Sequence, residues 1–279
     1  MKTNRLKSPK TQFIFWTALV LVLLVFAAVG PLFLSHDPLK VNLAQVNLPP
    51  SGEYPLGTDY IGRCIMSRLI EGAARSIYSA LIVVGVTFVI GTVIGTLSGF
   101  WGGRLDGLLM RVVDCFQAFP SLVFTIAIAG MLGPGTVNCV IALSVIGWTG
   151  YARLARSQVL SLKERTFVSA ARISGSSTRK ILVRTILPNC LSPLVVSASM
   201  HIGGTILSFA GLSFLGLGSA PPFPEWGTML NDGRQRLQIA PWAALFPGLA
   251  ILSVVMVMGM FGDSLNKVLI SSKNNEVQS

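Results

Sequence analysis

Charge is scarce in this chain. Only 12% of its residues are Asp, Glu, Lys or Arg, where a water-soluble domain carries about a quarter. Acids are the scarcer half, 11 against 22 bases. That composition excludes an ordinary soluble domain and leaves little material for carboxylate catalysis. Histidine is rarer still, with His36 and His201 alone. Cys64, Cys115, Cys139 and Cys190 are scattered, without CxxC or paired spacing, which argues against a disulfide framework or a zinc site. Each reads as a small apolar filler. There is no GxxxxGK[ST], so ATP is not bound in the P-loop manner. HExxH and GxSxG are missing too, and Gly216-x-Gly218 is a lone fragment. Asp59 and Glu71 are the one nearby acid pair, with nothing to mark them as catalytic. An enzyme is disfavoured.

What is abundant is apolar: 52% of the chain. Phe13 to Leu34 runs apolar long enough to cross about 30 Å of hydrocarbon at about 1.5 Å per residue. It follows a basic start (Lys2, Arg5, Lys7, Lys10). A signal peptide starts the same way, but its apolar core is only about 7–15 residues. A retained first span is expected. Further spans are expected over 77–100, 109–132, from 137 to 151 and onward, 190–218 and 243–268, six in all. Gly91, Gly95 and Gly99 line one face of the second for close helix packing. Pro120 should kink the third, where Asp114 is either a functional acid inside a span or reaches toward Arg111. Net charge is +11, and its distribution fits the positive-inside rule. Arg153, Arg156, Lys163, Arg165, Arg172, Arg179, Lys180 and Arg184 face one acid, Glu164. Both termini and this basic segment are therefore expected in the cytoplasm. The polar stretches 35–74 and 219–242 are expected outside. The tail from Lys267 reads as disordered. Nucleic acid is not needed to explain the charge.

The basic segment has local structure of its own. Phe167, Ala170, Ala171 and Ser174 recur at i, i+3, i+4 and i+7, one helix face. Gly175 sits where a left-handed stop is needed. Ser176 or Ser177 can cap a second helix, running to Leu187 and ended by Pro188. The pattern is helix, sharp turn, helix, with a small-residue face against which something bulky could press.

These residues also resemble a family signature. Ala170, Ala171, Gly175, Leu187 and Pro188 fall on the EAA loop of binding-protein-dependent ABC importer permeases. Ser169 stands where that loop has Glu, and Thr185 where Ile is common. Leu56 to Arg63 (LGTDYIGR) is similar to the LGTDxxGR string of the dipeptide, oligopeptide and nickel branch. There Gly57 reads as a turn, Thr58 or Asp59 as a cap, and Ile61, Ile65 and Leu69 as one edge of an interfacial helix. Gly62 and Arg63 complete the string, and no chemistry is assigned to Asp59 or Arg63. Gly102, Gly103, Arg104 and Asp106 fit a GG[RK]xD turn, and SFLGLG (213–218) is familiar from the same branch.

The resemblance implies an all-α integral membrane protein with six transmembrane helices and the type I ABC importer permease fold. Residues 1–72 would hold the N-terminus, first span and outer loop, residues 73–265 the five-helix core, and 266–279 the tail. It implies a cell-membrane assembly with a second homologous permease, cytoplasmic ATPase subunits that bind ATP, and an extracytoplasmic solute-binding protein. This chain would carry no cofactor and no firm metal site. Its loop 163–188 would couple the ATPase to the spans. Cargo is nickel, a metal chelate, or a di- or oligopeptide. An acid just before SFLGLG is missing, and His201 with Met200 could touch a metal in transit. Those features tilt the reading toward nickel or a chelate. Taken by itself, His201 is read first as a packed, hydrogen-bonded histidine. The rival class is a self-contained secondary transporter or channel, for which an internal repeat would be expected and none is evident.

Overall fold

The computed structural model describes residues 8–278. Most of the basic start (Lys2, Arg5, Lys7) lies outside the described residues. The described chain is helical. Helix α1 (Pro9–Val29) ends in a 3₁₀ turn at Gly30–Phe33. It leans on the last helix, α10 (Trp242–Gln278), where Phe13 stacks on Phe261 at 5.9 Å. The Tyr78 hydroxyl donates to Leu24 O at 2.8 Å, tying α1 to its other neighbour. Most of α1 stays exposed, with Ala27 its buried residue. An apolar surface of that kind suits lipid.

Helix α2 spans Ile65–Trp101 without a break. The expected interfacial helix and second span are therefore one element, and the expected boundary at 72/73 falls inside it. Nothing between Ile65 and Ile77 breaks a helix, and Gly72 is packed against Trp226. The glycine stripe of α2 meets α5 (Thr136–Lys163). A Cβ at Gly91, Gly95 or Gly99 would stand 2.4, 2.1 or 2.9 Å from the carbonyl oxygens of Trp148, Ala152 and Arg156. The two backbones touch, as close packing of membrane helices requires.

The expected third span is two helices, α3 (Gly103–Gln117) and α4 (Ser121–Leu132), bent by 83°. Pro120 lacks the N–H that would continue the ladder and forces Phe119 toward extended backbone. Asp114 does not reach Arg111 but pairs with Arg153 of α5 at 2.7 Å. Five helices are long and apolar enough to cross a membrane, six if the bent pair is one span.

Helices α6 (Thr166–Ile173) and α7 (Thr178–Ile181) form the basic hairpin. Pro188 does not end the second of these. A π turn (Leu182–Ile186) leads directly into α8 (Leu187–Phe214). Leu187 N donates to Leu182 O five residues back. That wider turn bypasses the ladder position which Pro188 cannot fill. Helix α9 (Trp226–Arg234) then packs between α8, α2 and α10. Helix α10 continues through residue 278, where a disordered tail was expected. Cys64, Cys139 and Cys190 are buried, as fillers would be, whereas Cys115 is exposed.

Candidate functional site

The string from Leu56 to Arg63 folds as a pinned loop. Gly57 and Gly62 both have φ of +78°. A Cβ on Gly62 would lie 1.8 Å from Asn42 O, so these turns accept glycine alone. The Thr58 hydroxyl donates to Gln45 O and accepts from Leu48 N. Asp59 Oδ1 accepts from the backbone of Ile61 and Arg63, and Oδ2 pairs with Arg63 Nε at 2.6 Å. Arg68 Nε lies 3.6 Å from the same carboxylate. Arg68 also donates to Pro38 O and Pro222 O, riveting both polar loops to α2. Thr58, Asp59, Arg63 and Arg68 are buried. This motif builds a rigid cap.

Glu225 joins that cap from the second loop, fully buried. Its carboxylate caps α9, accepting from Gly227 N at 2.9 Å and Thr228 N at 3.0 Å, and from the Ser76 hydroxyl of α2 at 3.0 Å. Burial holds this carboxyl above its usual range, and the donors pull it part of the way back.

The basic hairpin sits at the other end of α2 and α5. Arg165 precedes α6, and Gly175 closes it at φ +76°. Ser176 N bonds to Ala171 O and Gly175 N to Arg172 O, both at 3.1 Å, a complete Schellman stop. Ser177 Oγ caps α7 by accepting from Lys180 N. The expected small-residue face is divided. Ala171 is partly buried beside Val168, which is 1% exposed. Phe167, Ala170 and Ser174 are exposed, and Ile173, unremarked in the sequence pattern, is 88% exposed. Leu187 and Pro188 begin α8 rather than close the hairpin.

Val168 and Ala171 pack into a cluster with Val159, Ala155 and Tyr151 of α5 and Cys190 and Leu194 of α8. Two ion pairs brace the same end of α5. Arg156 grips Asp106 with Nε and Nη2, and Ser98 donates to the same carboxylate. Arg153 holds Asp114. Hairpin and helix ends thus form one packed block.

The upper member of that cluster, Tyr151, lines a cleft of about 390 Å³ between α2, α4, α5 and α8. Its walls include Thr87, Ser121, Thr125, Tyr151, His201, Thr205 and Ser208. None of the lining residues carries a carboxylate, an ammonium or a guanidinium. His201 Nδ1 lies 3.2 Å from the Tyr151 hydroxyl, with the rings edge to face at 5.5 Å. Met200 points elsewhere: it is not part of the cleft wall and packs beside Gly262 of α10. No group of three His, Cys, Asp or Glu able to hold a metal occurs among the described residues.

Comparison with known proteins agrees with this architecture. The family model "Binding-protein-dependent transport system inner membrane component" matches residues 91–274. The dipeptide transport system permease protein of Haemophilus influenzae is 37% identical over 256 residues, covering 90% of this chain and 87% of that protein. The nickel transport system permease protein of Escherichia coli K12 is 38% identical over 247 residues, with 88% and 89% covered. Among solved structures, the methionine ABC transporter in an inward-facing conformation matches with a TM-score of 0.60 at 17% identity. That match covers 73% of this chain and 97% of the other, which is likeness of fold.

Proposed function

The chain belongs to the family of binding-protein-dependent transport system inner membrane components, as a multi-pass permease subunit of an ABC importer of the dipeptide, oligopeptide and nickel group. From that premise we propose that it carries short peptides through the α2–α4–α5–α8 cleft, driven from the α6–α7 hairpin. ATP is bound and hydrolysed by cytoplasmic ATPase subunits. A second, homologous permease completes the path, and an extracytoplasmic solute-binding protein delivers cargo to the cap formed by residues 35–64 and 215–241. The membrane is the cell membrane, with both termini and the hairpin on the cytoplasmic side.

One observation carries the reading. Val168 of the exposed hairpin and Tyr151 of the cleft wall lie in a single packed cluster. Interiors packed at crystal-like density transmit displacement rather than absorb it. A push on Phe167, Ala170 and Ile173 therefore reaches the cleft through α5, and the α2–α5 backbone contact carries it across the bundle.

Cargo is assigned on chemistry. Relatives of nearly equal identity are named for dipeptide and for nickel transport, so similarity does not choose. A cleft without charged side chains offers a bare dication no carboxylate cluster. Its hydroxyl oxygens and the His201 imidazole suit a polar molecule with both donors and acceptors. Cells lacking this chain should lose dipeptide uptake and recover it on complementation. Unchanged dipeptide uptake with lost nickel uptake would reverse the cargo assignment.

A further inference from the structure

The cleft has a hydrogen-bonding polarity that can be read from its partners. Thr87 Oγ1 donates to Val83 O at 2.8 Å, Thr125 Oγ1 to Ser121 O at 2.7 Å, and Thr205 Oγ1 to His201 O at 2.9 Å. A hydroxyl has one proton. All three have given theirs to the backbone and keep only lone pairs; Thr205 is partly exposed at the cleft, while Thr87 and Thr125 are buried in its wall.

His201 is of the opposite kind. Tyr151 is 3% exposed, and among the described residues its hydroxyl meets His201 Nδ1 alone. A buried phenol left undonated costs free energy, so its proton belongs on that bond. Nδ1 is then the acceptor, and the neutral ring carries its hydrogen on Nε2. The hydrogen-bond network assigns this tautomer. His201 lines the cleft and is exposed there, so its free edge is a donor.

We infer that the cleft reads the cargo's charged ends: His201 Nε2–H takes its carboxylate, and hydroxyl oxygens of the same wall, with Thr205 the exposed one, accept from its ammonium. Tyr151 is the positioning residue that fixes the imidazole tautomer. The inference rests on the peptide-permease reading and narrows it to peptides with a free C-terminus.

The test uses the whole transporter in proteoliposomes, supplied with its solute-binding protein. Uptake of dialanine is compared with uptake of dialanine amide, which lacks the carboxylate. The binding protein's own preference is the same in every assay and cancels between variants. In His201→Phe the acid-to-amide uptake ratio should fall roughly three- to tenfold, the worth of one hydrogen bond. Tyr151→Phe keeps the buried ring, removes only the hydroxyl, and should lower the ratio as well. His201→Gln retains an N–H donor and should keep it. A general packing lesion would slow both cargoes alike. A ratio unchanged in His201→Phe and Tyr151→Phe, with wild type carrying dialanine, would overturn the assignment of His201 while leaving the peptide reading intact. Failure of wild type to carry either cargo would overturn both.

Discussion

At the scale of single residues, backbone geometry and burial decide more than charge does. Gly175 has open space around it, so its cost on substitution is conformational, about 1–2 kcal/mol for a left-handed residue with a Cβ. Gly175→Leu should leave the protein in the membrane yet uncouple uptake, whereas Gly175→Asn should retain most of it. Membrane abundance and uptake, measured together, separate the two. Glu225 makes a pH prediction. Its folded-state pKa stands above the unfolded one. Its contribution to stability is thus fully present below the unfolded carboxylate range and is lost as pH rises through the folded value. Detergent-solubilised wild type should lose thermal stability across that window, and Glu225→Gln should flatten the dependence. Gln should also be less stable by about 1–3 kcal/mol, since an amide cannot accept from all three donors.

At the scale of elements, what could be read from the sequence was whatever rests on local chemistry. The left-handed stop at Gly175, the α2 glycine stripe and the break at Pro120 all follow from one residue's own geometry. Pro188 was misleading because a proline's missing donor can be absorbed by a π turn upstream, which periodicity does not reveal. Asp114 and Arg111 are near in sequence, but Arg153 is nearer in space. Ile173 escaped notice because its exposure depends on how α6 docks, and Ala171 looked free because the partner that covers it, the α5–α8 cluster, is remote in sequence. The Asp106–Arg156 clasp was half visible as a GGRxD turn, though its partner was not. It is a fork-to-carboxylate pair, which lysine cannot reproduce. Arg156→Lys should therefore loosen α3 from α5, costing about 1–3 kcal/mol, and should lower uptake more than expression. Thermal unfolding set beside uptake rate checks this.

At the scale of the whole molecule, a pinned cap, an uncharged cleft and an exposed hairpin are joined by α2, α5 and α8. Five of the expected spans were legible, and the bent α3–α4 pair as a sixth if it crosses as one, because hydropathy depends on the membrane rather than on tertiary contacts. The cleft was not legible, because its walls come from four helices far apart in sequence. Only His201 stood out, and its role depends on Tyr151, fifty positions away. The proposed coupling requires that the exposed side of the hairpin receive an ATPase. Ala171 is a poor probe of it, since a charge there would also disrupt the hairpin's own packing. Ile173 and Ala170 are better ones. The decisive measurement is co-purification from mild detergent with the candidate ATPase subunits co-expressed, comparing wild type with the double variant Ala170→Asp, Ile173→Asp. The ATPase should accompany wild type and be lost from a variant that remains folded in the membrane. Equal recovery with both, or solute movement by this chain with no ATPase at all, would contradict it.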